Sequence, residues 1–125
     1  MALKILSAKE YSTRLKTSVH VTGRYGFAEA AAIALELTKD SYVTFAKDEE
    51  TDVLYLINNV ENTPDAFKVM KAGEYFSINT KSLFDALGYD YVNNNITFDL
   101  IKDNSHQDME VYKMLKKETL RKKKE

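Results

Sequence analysis

The sequence predicts a small, mainly β barrel of the α+β class, with short helices and two related halves. Short segments in which apolar and polar residues alternate recur along the chain between turn-forming residues, which is typical of strands. The pattern of residues 19–57 returns in weaker form at 75–114. The barrel is therefore predicted to hold two strand–helix–strand–strand pseudo-repeats. A chain of 125 residues with 44% apolar content can bury one core.

The first pseudo-repeat begins with the alternating residues VHVT and a turn at Gly23-Arg24. The glycines at 23 and 26 indicate backbone at positive φ or the close approach of another strand. Residues 28–37, AEAAAIALEL, are nearly all strong helix formers. The charged segment 48–52 is predicted to be an exposed hairpin loop. The strands predicted in this half are 16–22, 42–46 and 53–57.

The second pseudo-repeat follows a polar linker that contains the only proline, Pro64. A hairpin across residues 71–73 leads into this half, and its elements come in the same order as those of the first. The predicted elements are strands 66–70, 74–78, 95–101 and 111–114, with a helix in 79–88 and a polar loop at 102–110.

The two halves align over their helices and the strands that follow. Ala34-Leu35 falls on Ala86-Leu87, and residues 43–45 fall on 96–98 with one residue inserted between. Residues 1–115 are therefore predicted to be one barrel domain, followed by a basic tail at 116–125.

The composition limits the compartment and the chemistry. The chain has no cysteine, which excludes disulfides, thiolate metal ligands and thiol nucleophiles and fits a reducing compartment. Its longest apolar run, residues 30–35, is far shorter than the roughly 20 residues of a membrane span. The first residues lack the apolar stretch of a signal peptide. We expect a cytoplasmic protein with no membrane partner.

The net charge of −1 hides an asymmetry along the chain. Residues 1–27 hold five basic residues against one acidic residue, and 111–125 hold seven against two. Residues 28–62 hold two basic residues against eight acidic ones, and 63–110 hold four against eight. Basic blocks at both ends indicate a polyanion partner. A solvated tail is the alternative interpretation of residues 116–125.

A family resemblance rests on the residues around the first turn. The chain reads Gly23-Arg24-Tyr25-Gly26-Phe27-Ala28, then a helix ending Ala34-Leu35-Glu36-Leu37, then Lys39-Asp40 and a hairpin. This resembles the AbrB-type swapped-hairpin domain, whose pattern is roughly G-R-x-x-[IV]-P, a helix ending in L-G-[IL], then G-D and a hairpin. The second copy is similar through residues 78–81, Leu83 and 86–89. A double-psi barrel fits the same pattern.

The resemblance implies a fold and a function. Members of the family pair two copies by exchanging hairpins and bind DNA as transcription regulators or antitoxins, so two copies in one chain would form a pseudo-dimer. The chain departs from the family pattern at two points. Ala28 replaces the family proline, and Phe76 stands near the place of a second Gly-Arg arginine.

The sequence lacks the residue sets of common catalytic sites. With two histidines and no cysteine, it has no Cys–His pair, no HExxH motif and no G-x-S-x-G elbow. His20 is predicted to be an ordinary strand residue on the wetter face. His106 lies in a polar loop whose spacing matches no known metal-binding loop. We expect no enzymatic activity, no metal and no cofactor.

The charge distribution and the Gly-Arg turn predict nucleic-acid binding, with duplex DNA as the candidate partner. A structural or protein-interaction module is the alternative, favoured by a net charge near zero. The residues expected to contact phosphates are Arg14, Lys16, Arg24, Lys81, Lys116, Lys117, Arg121, Lys122, Lys123 and Lys124.

Overall fold

The computed structural model describes residues 2–3, 15–105 and 108–121, and these form a nearly closed antiparallel barrel with two short helices. The predicted fold class is confirmed. The strands are β1 (Leu15–Val19), β2 (Tyr25–Phe27), β3 (Tyr42–Lys47), β4 (Leu54–Asn58), β5 (Phe67–Lys68), β6 (Met70–Ala72), β7 (Tyr75–Ile78), β8 (Asn94–Asp103) and β9 (Glu110–Leu120), and the helices are α1 (Glu29–Ala34) and α2 (Lys81–Ala86).

A single residue connects the two outermost strands of the sheet. The strand order is β5-β3-β4-β9-β8-β1-β2-β7-β6, and each hydrogen-bonded pair is antiparallel. The two outermost strands, β5 and β6, are separated only by Val69. Val69 is buried, and its amide donates to the carbonyl of Ser41 at 2.9 Å. One extended segment therefore bridges both edges of the sheet, which leaves little open edge there.

The two halves repeat one arrangement. The order β2-α1-β3-β4 returns as β7-α2-β8-β9. β2 pairs with its counterpart β7, and β4 pairs with its counterpart β9. β1 lies between β2 and β8, whereas β5 and β6 occupy the matching place between β7 and β3. The strand order is therefore the same read from either half, as a pseudo-two-fold axis requires.

Both helices end with the same hydrogen bonds. The amides of Leu35 and Leu37 donate to residues four and five positions earlier, and those of Leu87 and Tyr89 do the same, all at 3.0 Å. Glu36 and Gly88 have positive φ, 52° and 76°, as in a Schellman motif. The predicted alignment of the helix ends agrees with this geometry. The predicted helix 28–37 was too long, because the left-handed conformation of Glu36 ends the helix.

The first predicted strand was also too long. Residues 16–22 were expected to be extended, but β1 ends at Val19 and a turn follows. The amide of His20 donates to Arg24 O, and that of Gly23 donates to His20 O, both at 2.8 Å. Gly23 has the expected positive φ, +86°. The chain then forms the short strand β2, which the sequence did not predict, before it enters α1.

The predicted tail at 116–125 was wrong over its first five residues. β9 continues to Leu120, and Lys116–Leu120 pair with Asn94–Phe98 of β8. These residues have the β-ladder as a partner for their backbone, which a solvated tail would lack. The domain boundary therefore does not lie at residue 115.

Aromatic rings fill the centre of the barrel. Phe84 of α2 is fully buried, and its ring centroid lies 5.3–6.5 Å from four other aromatic rings. The hydroxyl of the buried Tyr25 donates to Thr17 Oγ1, and burial raises the pKa of this tyrosine. The rings around Phe84 are Tyr25, Phe45, Tyr89 and Phe98.

Candidate functional site

Five small or basic residues form a row across the outside of the barrel. Residues opposite one another in antiparallel strands share a face of the sheet. On β1, β2 and β8 the residues on either side of the row are buried, and side chains alternate between faces. The row therefore lies on the outer face, and it spans four strand spacings, about 19 Å. We call it the outer strip: Lys117, Thr97, Ser18, Gly26 and Ser77.

Tyr75 covers Gly26 at one end of the outer strip. A Cβ at position 26 would collide with the Tyr75 hydroxyl and with Nε2 of His20. The close approach that the glycine pair predicted is thus made by a side chain of β7. The Tyr75 hydroxyl and His20 Nε2 are hydrogen-bonded, and the two rings meet edge to face at 5.7 Å.

Arg24 covers Ser77 in the same way. Its Nε donates to Ser77 Oγ at 3.0 Å, and Ser77 is only 6% exposed although it lies on the outer face. Arg24 and Tyr75 are close enough to interact electrostatically. Partial burial raises the pKa of Tyr75, and the positive charge of Arg24 opposes that rise.

Two of the lysines expected to contact phosphates lie on the outer face and have no ion-pair partner in the described part of the chain. Lys117 belongs to the outer strip, and Lys16 lies in the next row, opposite Asp99. Both lysines are exposed. Together with Arg24 they give this face three cations that can contact an anionic ligand. Asp99 is the one described anion among these rows.

Lys81 and Lys116 are engaged with neighbouring side chains. Lys81 Nζ lies 2.7 Å from Asp85 Oδ2, and the hydrogen bond to Asp85 raises the pKa of Lys81. Lys116 Nζ lies 3.3 Å from a Glu118 carboxylate oxygen and 4.5 Å from the centroid of the Tyr89 ring. A ligand would have to compete with these contacts.

The turn that carries Arg24 rests against the start of α2. Thr80 Oγ1 donates to the carbonyl of Gly23 at 2.9 Å, and a Cβ at Gly23 would lie 2.9 Å from Lys81 Cγ. The structure therefore brings Lys81 beside the Gly23-Arg24 turn, although Lys81 was expected in an equivalent loop of the second half.

Arg121 binds to the protein itself. Its Nε and Nη2 donate to Tyr91 O at 3.1 and 3.0 Å, and Nη1 donates to Asn95 Oδ1 at 2.6 Å. Nη2 also reaches the carbonyl of Val19 at 3.5 Å. This guanidinium joins β9 to the turn before β8 and to the end of β1. The other predicted contacts, Arg14, Lys122, Lys123 and Lys124, lie outside the described residues.

The remaining surface features do not resemble an anion site. A shallow cavity of about 370 Å³ lies beside Asn58 and is flanked by three carboxylates, Glu61, Asp108 and Glu110. Among the described residues, no group of three or more metal-ligating side chains is placed to bind an ion. No helix in the described part of the chain is long and apolar enough to cross a bilayer.

Comparisons of this chain with models of known protein families, with curated proteins and with solved structures give no match. The properties of the outer strip therefore rest on its own residues and geometry.

The sequence did not predict that the short residues of the outer strip, or the His20 and Tyr75 side chains beside them, belong to one site. Ser18 was assigned only to the polar face of its strand, Thr97 and Ser77 only to predicted strands, and His20 and Tyr75 to ordinary strand positions. The alternation of polar residues with core residues did indicate that they face outward. Nothing in the sequence gave the register that aligns them in one row.

Proposed function

We propose that this protein is a non-catalytic nucleic-acid-binding protein and that the outer strip is its contact surface. The observation that supports this is the grouping of Lys16, Arg24 and Lys117 on one outer face, around a floor of glycine and hydroxyl side chains. Cations position a phosphate backbone, and the short, partly exposed side chains of Ser18 and Thr97 let it approach the sheet. The hydroxyls of Ser18 and Thr97 can add hydrogen bonds to phosphate oxygens, whereas that of Ser77 is bonded to Arg24.

Arg24 is the best placed of the three cations. Its Nε is held by Ser77, and none of the described residues accepts a hydrogen bond from its two terminal nitrogens. A guanidinium fixed in this way loses less conformational freedom on binding than a free lysine and can donate two parallel hydrogen bonds to a phosphate.

At the level of the family, we propose an AbrB-like regulator in the cytoplasm. The resemblance of residues 23–40 to the family pattern supports this, together with the pairing of equivalent strands from the two halves. The absence of cysteine fits a reducing compartment.

The test is fluorescence anisotropy with a labelled mixed-sequence duplex and its single strand, over a salt series. Three engaged cations predict a slope of log affinity against log salt of about −3 on duplex. Removing two of them, Arg24→Ala with Lys117→Ala, should weaken binding at low salt by about ten-fold and flatten the slope by about 2. Lys39→Ala, at an exposed lysine of the loop before β3, is the matched control. If neither probe binds at about 50 mM salt, or if the control and the double variant weaken binding equally, the proposal is wrong.

Removal of the anion beside Lys16 should strengthen binding. Asp99 lies opposite Lys16 on the outer face, where its charge repels phosphates. Asp99→Asn is expected to raise affinity by about two- to five-fold at low salt, with the gain fading as salt rises. Asp40→Asn removes an exposed charge from the loop before β3 and should leave affinity unchanged. Equal effects of the two variants would mean that only net charge matters.

A protein-interaction module is the second candidate, and one observation favours it. β4 pairs with β9 only as far as Met114, so no described strand flanks the following residues on that side. The amide of Arg121 donates to Asn93 O, so odd-numbered residues of β9 direct their backbone groups to β8. Even-numbered residues, including Lys116 and Glu118, direct theirs to the open side. Such an edge can accept a strand from a partner protein, and this function stands if nucleic acid does not bind.

A further inference from the structure

We infer that Tyr75 is a nucleobase-stacking platform and that the outer strip therefore takes single-stranded nucleic acid in preference to duplex. The inference rests on the proposed nucleic-acid function and names the class of ligand.

Arg24 and Tyr75 occupy equivalent positions in the two halves. The pairing of β2 with β7 is centred on Gly26 opposite Ser77. Arg24 precedes Gly26 by two residues, and Tyr75 precedes Ser77 by two. Each side chain crosses to the other strand, Arg24 onto Ser77 and Tyr75 onto Gly26. The second half thus presents an aromatic ring where the first half presents a guanidinium.

The two side chains flank the floor of the outer strip with complementary chemistry. Arg24 offers charge and hydrogen-bond donors, which suit a phosphate. The hydroxyl end of Tyr75 lies over Gly26, and the residue is still 40% exposed, so part of its surface remains open to a ligand. Met70, opposite Ser77 on the next strand, is 47% exposed and extends this apolar end.

A purely structural role for Tyr75 accounts for only part of this arrangement. An aromatic ring placed across a glycine in a neighbouring strand compensates for the missing side chain. Covering Gly26 uses the hydroxyl end of Tyr75, whereas the remaining exposed surface of Tyr75 and that of Met70 lie near the cation Arg24 without a structural role of this kind. An aromatic ring can stack on any nucleobase, whatever the sequence of the strand.

Single strands fit this surface better than duplex does. In a duplex the bases are stacked on each other, and their edges are reached only through a groove. The described residues of the outer strip are strand positions, and four of the five are glycine, serine or threonine, which are too short to enter a groove. A single strand can place its backbone along the cations and turn an unstacked base onto Tyr75.

The experiment measures affinity for labelled oligothymidine, oligouridine and a mixed-sequence duplex by anisotropy at one salt concentration. The wild-type protein should prefer both single strands to the duplex. Tyr75→Leu should lower affinity for single strands by about ten-fold, and Tyr75→Phe should retain it within about two-fold because the ring remains. Affinity for duplex should change less than two-fold in either variant. Tyr55→Leu, at a half-buried tyrosine on the outer face of β4, is the matched control.

A fluorescence measurement tests the inference directly, even if the Tyr75→Leu protein does not fold. The chain has no tryptophan, so Tyr75→Trp introduces a single fluorophore of this kind. Saturating single strands should quench its emission, and saturating duplex should not. Preference for duplex, or unquenched Trp emission with bound single strand, would overturn the inference and leave the proposed function intact. Absence of binding to all three probes would overturn the proposed function itself.

Discussion

Replacement of Phe84 by alanine is expected to destabilise the protein by about 3–5 kcal/mol. The ring is fully buried in α2 and packs against aromatic rings from β2, β3 and β8 and from the segment after α2. Truncation would leave a cavity where both halves of the barrel meet, and α2 has only six residues with which to adjust. Urea unfolding followed by circular dichroism measures the loss.

The matched control for this prediction is Ile33→Ala in the other helix. Ile33 is 68% exposed, so its truncation should change the free energy of unfolding by less than about 0.5 kcal/mol. A Phe84→Ala protein as stable as the control would mean that the aromatic cluster does not hold the barrel together.

Ending the chain at Leu115 is expected to be the second most damaging change. It removes the pairing of Lys116–Leu120 with β8 and all of the Arg121 hydrogen bonds. Hydrogen bonds from a charged donor contribute about 1.5–3 kcal/mol each. We expect a loss of at least about 3 kcal/mol, together with greater mobility of the turn that contains Tyr91. Thermal unfolding of the truncated and full-length chains measures it.

A second truncation separates the strand from the charge that follows it. A chain ending at Arg121 retains every contact described for β9 and should unfold within about 0.5 kcal/mol of the full chain. If ending the chain at Leu115 were equally harmless, residues 116–121 would behave as the solvated tail that the sequence suggested.

The sequence was sufficient for the order of elements where a pattern is local. The helix ends aligned because Leu35 and Leu87 occupy the same cap geometry. The break after Val19 was not visible, because residues 16–22 alternate as a continuous strand would and only the turn from His20 to Arg24 interrupts them. The continuation of β9 was hidden by its composition. A run of lysines resembles a tail until the strand that pairs with it is known.

Only part of the candidate site could be predicted, because its cations are visible in the sequence whereas the pairing of its strands is not. Arg24, Lys16 and Lys117 were identified from charge and from the Gly-Arg turn. Arg121 was assigned to phosphate contact, yet the structure gives its guanidinium four protein contacts that join segments distant in sequence. The role of Tyr75 depends on the register between β2 and β7, which a local pattern cannot supply.

The most direct test of the central claim is an NMR titration of the ¹⁵N-labelled protein with a short single-stranded oligonucleotide. We predict that the largest amide shifts fall on the outer strip, at Ser18, Gly26, Ser77 and Thr97, while residues 48–52 of the acidic loop stay unchanged. The Arg24→Ala, Lys117→Ala protein should show the same shifts only at much higher ligand concentration. Shifts centred elsewhere, or none at saturating oligonucleotide, would contradict the account.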